Sequence, residues 1–382
     1  MTRARTGLLM LALVAGGFFV NASVRMPCRD VCGADIGRLY EDRGIDRAHP
    51  PYFERDLEYP PVIGMLMWVA AVPFDQGLRV KFVLNAIVLL GLALATTWAL
   101  WLRYGKRTWR WALAPPLLLE GLTNWDLLAV APATIGLMQW EAGSAALAGG
   151  LIGVGAAAKL MPALYLPVLI AACVPTRAWK RARDVFVGAV VGCALFVLPV
   201  YAVKPHAFTF FVNFHRARGP SRATIWFFMF RDLSMHQWLT QHTVIRVINI
   251  AIPILLGAAL ALVLWQTARG RIPPIAACAI ATIAFVLTNK IYSPQYDLWL
   301  VPFFVMVPVR TKFVVHFYVS SVLVWFFNAV EGHALHRPLS LYVLGAAAAY
   351  RLVVELLLVR EFVRCSRDEF RVSVQSEPAT AR

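Results

Sequence analysis

The sequence predicts an all-α, polytopic integral membrane protein, and three observations carry that expectation. Hydrophobic residues make up 59% of the 382 residues and charged residues only 15%, where soluble domains hold roughly 25% charged. Mean hydropathy is +0.63. Apolar runs recur from one end of the chain to the other, and a run that crosses lipid must satisfy its backbone internally, which favours helices. About twelve crossings follow from the number and length of the runs. The net charge of +16 invites comparison with nucleic-acid binders. Its lysines and arginines, however, sit in short clusters between apolar runs, the pattern of positive-inside topology.

The expected layout is a single domain over 1–382. A first span covers 7–24, a polar outer loop 25–61, the remaining spans 62–359 and a cytoplasmic tail 360–382. The charged start MTRAR with a short apolar core suits a signal peptide as well as an uncleaved anchor. The anchor reading places Arg3 and Arg5 in the cytoplasm and the loop outside. Pro60 and Pro61 open the next run, from Val62 to Phe74, because proline costs nothing in a helix's first turn. That run either crosses or is re-entrant, and the basic stretch RYGKRTWR, Arg103 to Arg110, changes side accordingly. Two later runs are too long for one ordinary span. Trp111 to Trp140 is interrupted at Glu120 and again at Asn124 and Asp126. Ser144 to Val174 is interrupted at Lys159 and Pro162, where proline breaks or kinks a helix. The basic clusters at 177–183, 269–271, 310–312 and 360–371 agree on both termini being cytoplasmic, in a plasma membrane. They place Lys204 to Gln241, Asn289 to Asp297 and Glu331 to Pro338 outside. The last residues, SVQSEPATAR, read as a disordered tail.

The loop from Cys28 to Gly64 gathers Asp30, Asp35, Glu41, Asp42, Asp46, Glu54, Asp56 and Glu58, eight of the 21 acids in the chain. Asp35 is the leading catalytic candidate. It follows Gly33 and Ala34, which permit close approach, and lies five residues before Tyr40. The plain alternative is one solvated acid among eight. Glu58 precedes a proline-started helix, where an acid is also an ordinary partner for the helix dipole. Asp126, with Asn124 and Trp125, and Lys159, in GAAAKLMP, are ionisable groups in apolar settings, which mark candidate functional sites. The alternatives are a packing ion pair for Asp126 and snorkelling for Lys159. Outer-face cations such as Arg218, Arg222 and Lys290 break the positive-inside habit, and a lipid phosphate gives them a reason. For any one of them, interfacial anchoring is the alternative.

Glu331, His333 and His336 match no common zinc spacing, and there is no glycine-rich phosphate loop, Gly-x-Ser-x-Gly elbow or HExxH pair. Cys28 and Cys32 are too few for a zinc site. On an oxidising face they are placed to close a small, geometrically demanding disulfide ring. Cys173, Cys193 and Cys278 lie in apolar runs and read as small core hydrophobes.

One span, an outer loop with Asp35 and Tyr40, and LEYPPVIGMLMW opening the next helix together resemble the GT-C membrane glycosyltransferases. LTNWDLLAV around Asp126, GLIGVGAAAKLMPALYLP around Lys159 and NKIYSPQYDLWLVP around Gln295 resemble in particular glycosyltransferase family 87. That branch includes polyprenyl-phosphate-mannose-dependent α-mannosyltransferases and some arabinofuranosyltransferases. The resemblance implies an inverting transferase with Asp35 as general base. It implies a polyprenyl-phosphate sugar as donor and a lipid-linked or cell-envelope glycan as acceptor. Lys159, Lys290, Arg218 and Arg222 would hold the donor phosphate, and Tyr40, Glu58, Tyr59, Asn124, Asp126 and Gln295 the sugar or acceptor. The Asp-x-Asp pair of some GT-C members is absent at Asp35, so no divalent metal is firmly implied. Two other classes compete: a secondary transporter, which needs midplane polar residues and usually inverted repeats, and a noncatalytic lipid-binding membrane protein.

Overall fold

The computed structural model describes residues 3–27, 31, 34–72, 77–235, 240–333 and 338–375. Among these there is no strand, only an isolated bridge between Pro51 and Arg55. Seventeen α-helices are described: α1 Arg3–Arg25, α2 Asp35–Asp42, α3 Pro61–Ala71, α4 Leu78–Tyr104, α5 Trp109–Ala112, α6 Pro115–Glu120, α7 Leu127–Glu141, α8 Ala145–Ala158, α9 Tyr165–Ala171, α10 Trp179–Val203, α11 His206–Ala217, α12 Ile225–Met235, α13 Gln241–Ala268, α14 Pro274–Thr288, α15 Val301–Met306, α16 Thr311–His333 and α17 Pro338–Gln375. Short 3-10 segments add Gly105–Thr108, Met161–Leu164 and Pro294–Trp299.

Among the described residues, six segments are long and apolar enough to cross a membrane: Arg3–Arg25, Leu78–Ala112, Trp179–Val203, Gln241–Ala268, Thr311–Val330 and Leu339–Ser366. Their outward residues are large and apolar, including Phe19, Leu195 and Ile254, as lipid contact requires. The chain is a multi-pass membrane protein. Helix α3 is different: its 11 residues span only about 16 Å at 1.5 Å per residue, about half the hydrocarbon thickness.

The chain divides into two compact units. The first comprises Met1–Leu166, Arg181–Gly219 and Ser293–Val305. Within it α1 packs on α4 and α6, α4 on α7, and α7 on α8, while α2 and α3 both lie on α4. The centre is built from small residues. Helix α7 buries Ala129, Ala131, Ala133 and Gly136 among larger side chains, and α8 is mostly alanine and glycine. Small residues substitute for the hydrophobic drive that lipid removes, by letting backbones touch. This is clearest between α8 and α10. A Cβ added at Gly149 would sit 2.0 Å from the Val185 carbonyl oxygen, one at Gly153 2.2 Å from that of Ala189, and one at Gly192 2.1 Å from that of Gly150.

The second unit comprises Pro167–Lys180, Pro220–Tyr292 and Met306–Arg382. In it α16 packs along α17, α13 along α14, and α14 on α17. Two ionic clusters pin α17. Glu361, fully buried, takes hydrogen bonds from Arg310 and Arg364, and Arg351 pairs with Glu355 one turn away.

The interruptions expected at Glu120, at Asn124 with Asp126, and at Lys159 with Pro162 are all present as breaks between α6, α7, α8 and α9. The outer loop contains a helix, α2, that its acid-rich composition masks. Its burial is amphipathic all the same, with Ile36, Leu39 and Tyr40 inward and Arg38, Glu41 and Asp42 outward, the i, i+3, i+4 stripe of a half-buried helix. The segment expected outside from Lys204 to Gln241 holds α11 and α12. Cys28 and Cys32, His336, the side chains of Glu331 and His333, and residues 376–382 of the expected disordered tail lie outside the described residues.

The glycine contact yields a paired expectation. Gly149→Ala forces backbone apart and destabilises by about 1–3 kcal/mol. Gly150→Ala, whose added Cβ lies 3.8 Å from its nearest neighbour, is neutral or stabilising because alanine is the better helix former. Thermal unfolding of the two variants in the same detergent checks both.

Candidate active site

Asp35 is the first residue of α2, where a carboxylate complements the positive end of the helix dipole. The two N–H groups that open α2 need acceptors, and the chain supplies one from far away. Asp35 N–H and Ile36 N–H both donate to the Thr123 carbonyl, at 2.8 and 3.4 Å. That carbonyl belongs to the turn between α6 and α7, so capping α2 places residue 124 directly beside Asp35. Asn124 Nδ2 donates to Asp35 Oδ2 at 2.8 Å and to the Tyr59 hydroxyl at 2.8 Å, while its Oδ1 accepts from Trp125 N–H. The other carboxylate oxygen, Asp35 Oδ1, accepts from Arg38 at 3.0 Å. The Asp35 side chain remains 24% exposed, so it is fixed in direction yet reachable.

The turn is itself held from α1. Arg25 donates to the Thr123 hydroxyl at 2.7 Å and to Asn21. Asn21 in turn donates to the Leu118 and Leu119 carbonyls, which belong to the last turn of α6 and have no partner within that helix. On the other side, Tyr59 meets Trp125 edge-on with centroids 5.8 Å apart. Burial first, and the neighbouring Asp35 carboxylate second, push the Tyr59 phenol well above its ordinary pKa. It therefore keeps its proton at neutral pH and stays available as a donor.

Below this network lies a buried ion pair. Lys159 Nζ donates to Asp126 Oδ1 at 2.8 Å, and Trp299 Nε1 donates to the same oxygen at 2.6 Å. The lysine ammonium also lies 5.7 Å from the Tyr59 ring centroid, 5.6 Å from that of Tyr296 and 5.9 Å from that of Trp299, within cation–π range. Tyr296 and Trp299 stack at 4.3 Å. Asp126 Oδ2 is buried with no hydrogen-bond partner among the described residues. Helix α8 ends at Ala158, and Lys159 turns into extended backbone there, which sends its side chain back toward Asp126.

The structure thus brings Asp35, Tyr59, Asn124, Asp126 and Lys159 together in one unit. The charges of Asp126, Arg218 and Asp35 all act on Tyr296, which sets exposed Arg218 at the same cluster. The remaining candidates have the following surroundings. Tyr40 is buried, donates to the Met67 carbonyl and accepts from Asn85, so it ties α2 to α3 and α4. Glu58 gives both oxygens to Arg43, at 2.7 and 2.9 Å. Gln295 is buried and accepts from Ser293. Lys290 and Arg222 belong to the second unit, where Lys290 donates to Asn249 at 2.7 Å.

Sequence reasoning missed Thr123, Arg25, Arg38 and Trp299. A signal existed for Trp299 in its place just after the 289–297 turn; Thr123 acts through its backbone carbonyl, Arg25 supports the turn that carries it, and Arg38 donates to Asp35 from the next turn of α2, none of which a motif announces. Among the described residues no cluster of three or more His, Cys, Asp or Glu side chains is arranged to hold a metal ion.

The family model for glycosyltransferase family 87 matches residues 57–294, a span that includes Tyr59, Asn124, Asp126 and Lys159 and begins after Asp35. Two solved structures are similar. ArnT from Cupriavidus metallidurans bound to undecaprenyl phosphate is 17% identical, with 95% of this chain and 77% of that chain covered and a TM-score of 0.49. The same protein in its apo state is 16% identical, with 95% and 78% covered and a TM-score of 0.47. No curated protein matches the chain by sequence.

The Asp126–Lys159 pair gives a stability expectation. Lys159→Met leaves a buried carboxylate without its cation and costs about 3–5 kcal/mol, whereas Lys159→Met combined with Asp126→Leu removes both charges and recovers most of that loss. Detergent unfolding of wild type, single and double variants measures the difference.

Proposed function

The chain belongs to glycosyltransferase family 87, and from that premise we propose that it moves a sugar, with mannose first and arabinofuranose second, from a polyprenyl phosphate to a hydroxyl of a glycolipid or cell-envelope glycan. It is a multi-pass membrane glycosyltransferase. The observation that carries the finer reading is the Asp35 carboxylate, held by Asn124 beside Tyr59 and still partly open. The reaction takes place on the outer face of the plasma membrane with both termini in the cytoplasm, the orientation the basic clusters favour.

The chemistry asks little of the protein. The leaving group is a phosphate that departs as a stable anion, so no general acid is needed. Asp35 accepts the proton of the acceptor hydroxyl as its oxygen bonds to the anomeric carbon. The bond from that carbon to the phosphate oxygen breaks, its electron pair leaves with the phosphate, and the anomeric configuration inverts. Asn124 and Arg38 aim the carboxylate, since each donates to one of its oxygens. The Tyr59 hydroxyl, whose proton is retained, donates to the sugar or the phosphate. Arg218, an exposed cation whose charge acts on Tyr296, meets the phosphate charge in this reading. Lys159 contributes its field from within the aromatic cage, because its ammonium already serves Asp126. The unpartnered oxygen of Asp126 is an acceptor for a sugar hydroxyl.

Membranes containing the wild-type protein should transfer sugar from a polyprenyl-phosphate donor to endogenous glycolipid, read by radiolabel or mass spectrometry. Asp35→Asn removes the base and lowers the rate by about 10²–10⁴-fold with unchanged thermal unfolding. Equal transfer by Asp35→Asn would remove the base assignment. Asn124→Ala lowers kcat by less, since it misdirects the carboxylate without deleting it. Glu58→Gln weakens the Arg43 tie and acts on stability, leaving kcat close to wild type.

A further inference from the structure

A cavity of about 670 Å³ lies within the second unit, among α13, α14 and α17, well inside the range of roughly 300–1,000 Å³ typical of small-molecule sites. Its walls are apolar, with Leu262 and Val263 from α13, Ile272 from the connection before α14, Ile280 from α14, and Val359 from α17. Its rim is polar: Gln266, Arg269 and Arg271, with Gly270 between the arginines. Among the described residues no Asp or Glu lines it.

The rim is built to present those two arginines together. Gly270 takes a left-handed φ of +68°, which glycine permits without strain. The turn it makes closes α13 on itself: Arg269 N–H donates to the Trp265 carbonyl, Gly270 N–H to that of Thr267, and Arg271 N–H to that of Gln266. Three of the last carbonyls of α13 are therefore satisfied within the turn. Both guanidinium groups lie over one indole, Arg269 at 4.2 Å and Arg271 at 5.6 Å from the Trp265 centroid, and Arg271 also donates to Gln266. Glu361, the acid of α17 near Val359 and Val363 in sequence, is occupied by Arg310 and Arg364. Trp265 is 45% exposed, as suits a residue at the lipid–water boundary.

We infer that this cavity is a binding site for an anionic phospholipid, with one acyl chain between α13, α14 and α17 and the phosphate on Arg269 and Arg271. Charge complementarity selects the occupant. An apolar body with a doubly cationic mouth matches a chain that ends in an anion, and arginine forks match phosphate oxygens. Basic pockets between membrane helices recognise anionic head groups in this way. The site lies apart from the Asp35 cluster in sequence and unit, and the inference stands whether or not the glycosyl-transfer reading holds.

The test is native mass spectrometry of the purified full-length chain in detergent, titrated with phosphatidylglycerol and, separately, with phosphatidylcholine of identical acyl chains. Wild type is expected to bind phosphatidylglycerol more tightly, by about tenfold or more. Arg269→Ala with Arg271→Ala abolishes that preference, while Arg269→Lys with Arg271→Lys retains part of it. Leu262→Trp, which fills the cavity, weakens both lipids alike. Inorganic phosphate at lipid concentrations does not displace the bound lipid. Equal affinity of wild type for the two lipids overturns the inference without any variant. So does an undiminished preference in the double-alanine protein with wild-type unfolding temperature, or displacement by phosphate alone.

Discussion

A backbone carbonyl organises the candidate site. In and near hydrocarbon an unpaired peptide group costs several kcal/mol, so the first N–H groups of α2 must find an acceptor, and Thr123 O is the one they find. That single requirement draws the polar loop after α1 onto the turn between α6 and α7. The surroundings of Asp35 follow from the closure. Asn124, next in sequence to Thr123, then faces Asp35 and Tyr59. Arg25 and Asn21 of α1 complete it by satisfying the last carbonyls of α6, so α1 serves as a brace as well as a span.

The site has two electrostatic layers with different duties. Asp35 is partly exposed and held by a neutral and a cationic donor. Asp126 and Lys159 are buried against each other among Tyr59, Tyr296 and Trp299. A buried pair of this kind contributes little net stability relative to apolar packing but makes the loss of either partner expensive. What it supplies here is a fixed arrangement: the pair joins the α6–α7 turn, the end of α8 and the 3-10 segment Pro294–Trp299 at one point. Three stretches distant in sequence are held in register by one ionic contact and one indole N–H.

Much of the fold is legible in the chain. The breaks at Glu120, Asn124 and Lys159 are visible because polar residues and proline interrupt runs that are otherwise uniformly apolar. Helix α2 is harder to see, since its acids dominate the composition of the loop and its apolar stripe is only Ile36, Leu39 and Tyr40. The partners of Tyr40 and Glu58 were not legible. Each has the residue type of a sugar ligand, and each is taken up by a structural partner, Asn85 with the Met67 carbonyl for one and Arg43 for the other. Residue type announces hydrogen-bonding capacity, and only packing reveals whether that capacity is already in use.

The sequence by itself determined that this is a helical membrane protein, where its long spans lie, and which few ionisable groups are out of place in them. Those facts follow from local composition, because the cost of burying charge in lipid accrues residue by residue. The tertiary structure decided which partners Asp35 meets. Asp35 is distinguished by the Thr123 carbonyl and the Asn124 amide, the latter 89 residues away, and no local pattern encodes a partner at that distance. It also decided that Lys159 meets Asp126 instead of standing open, since the end of α8 and the start of α7 are brought together only by helix packing.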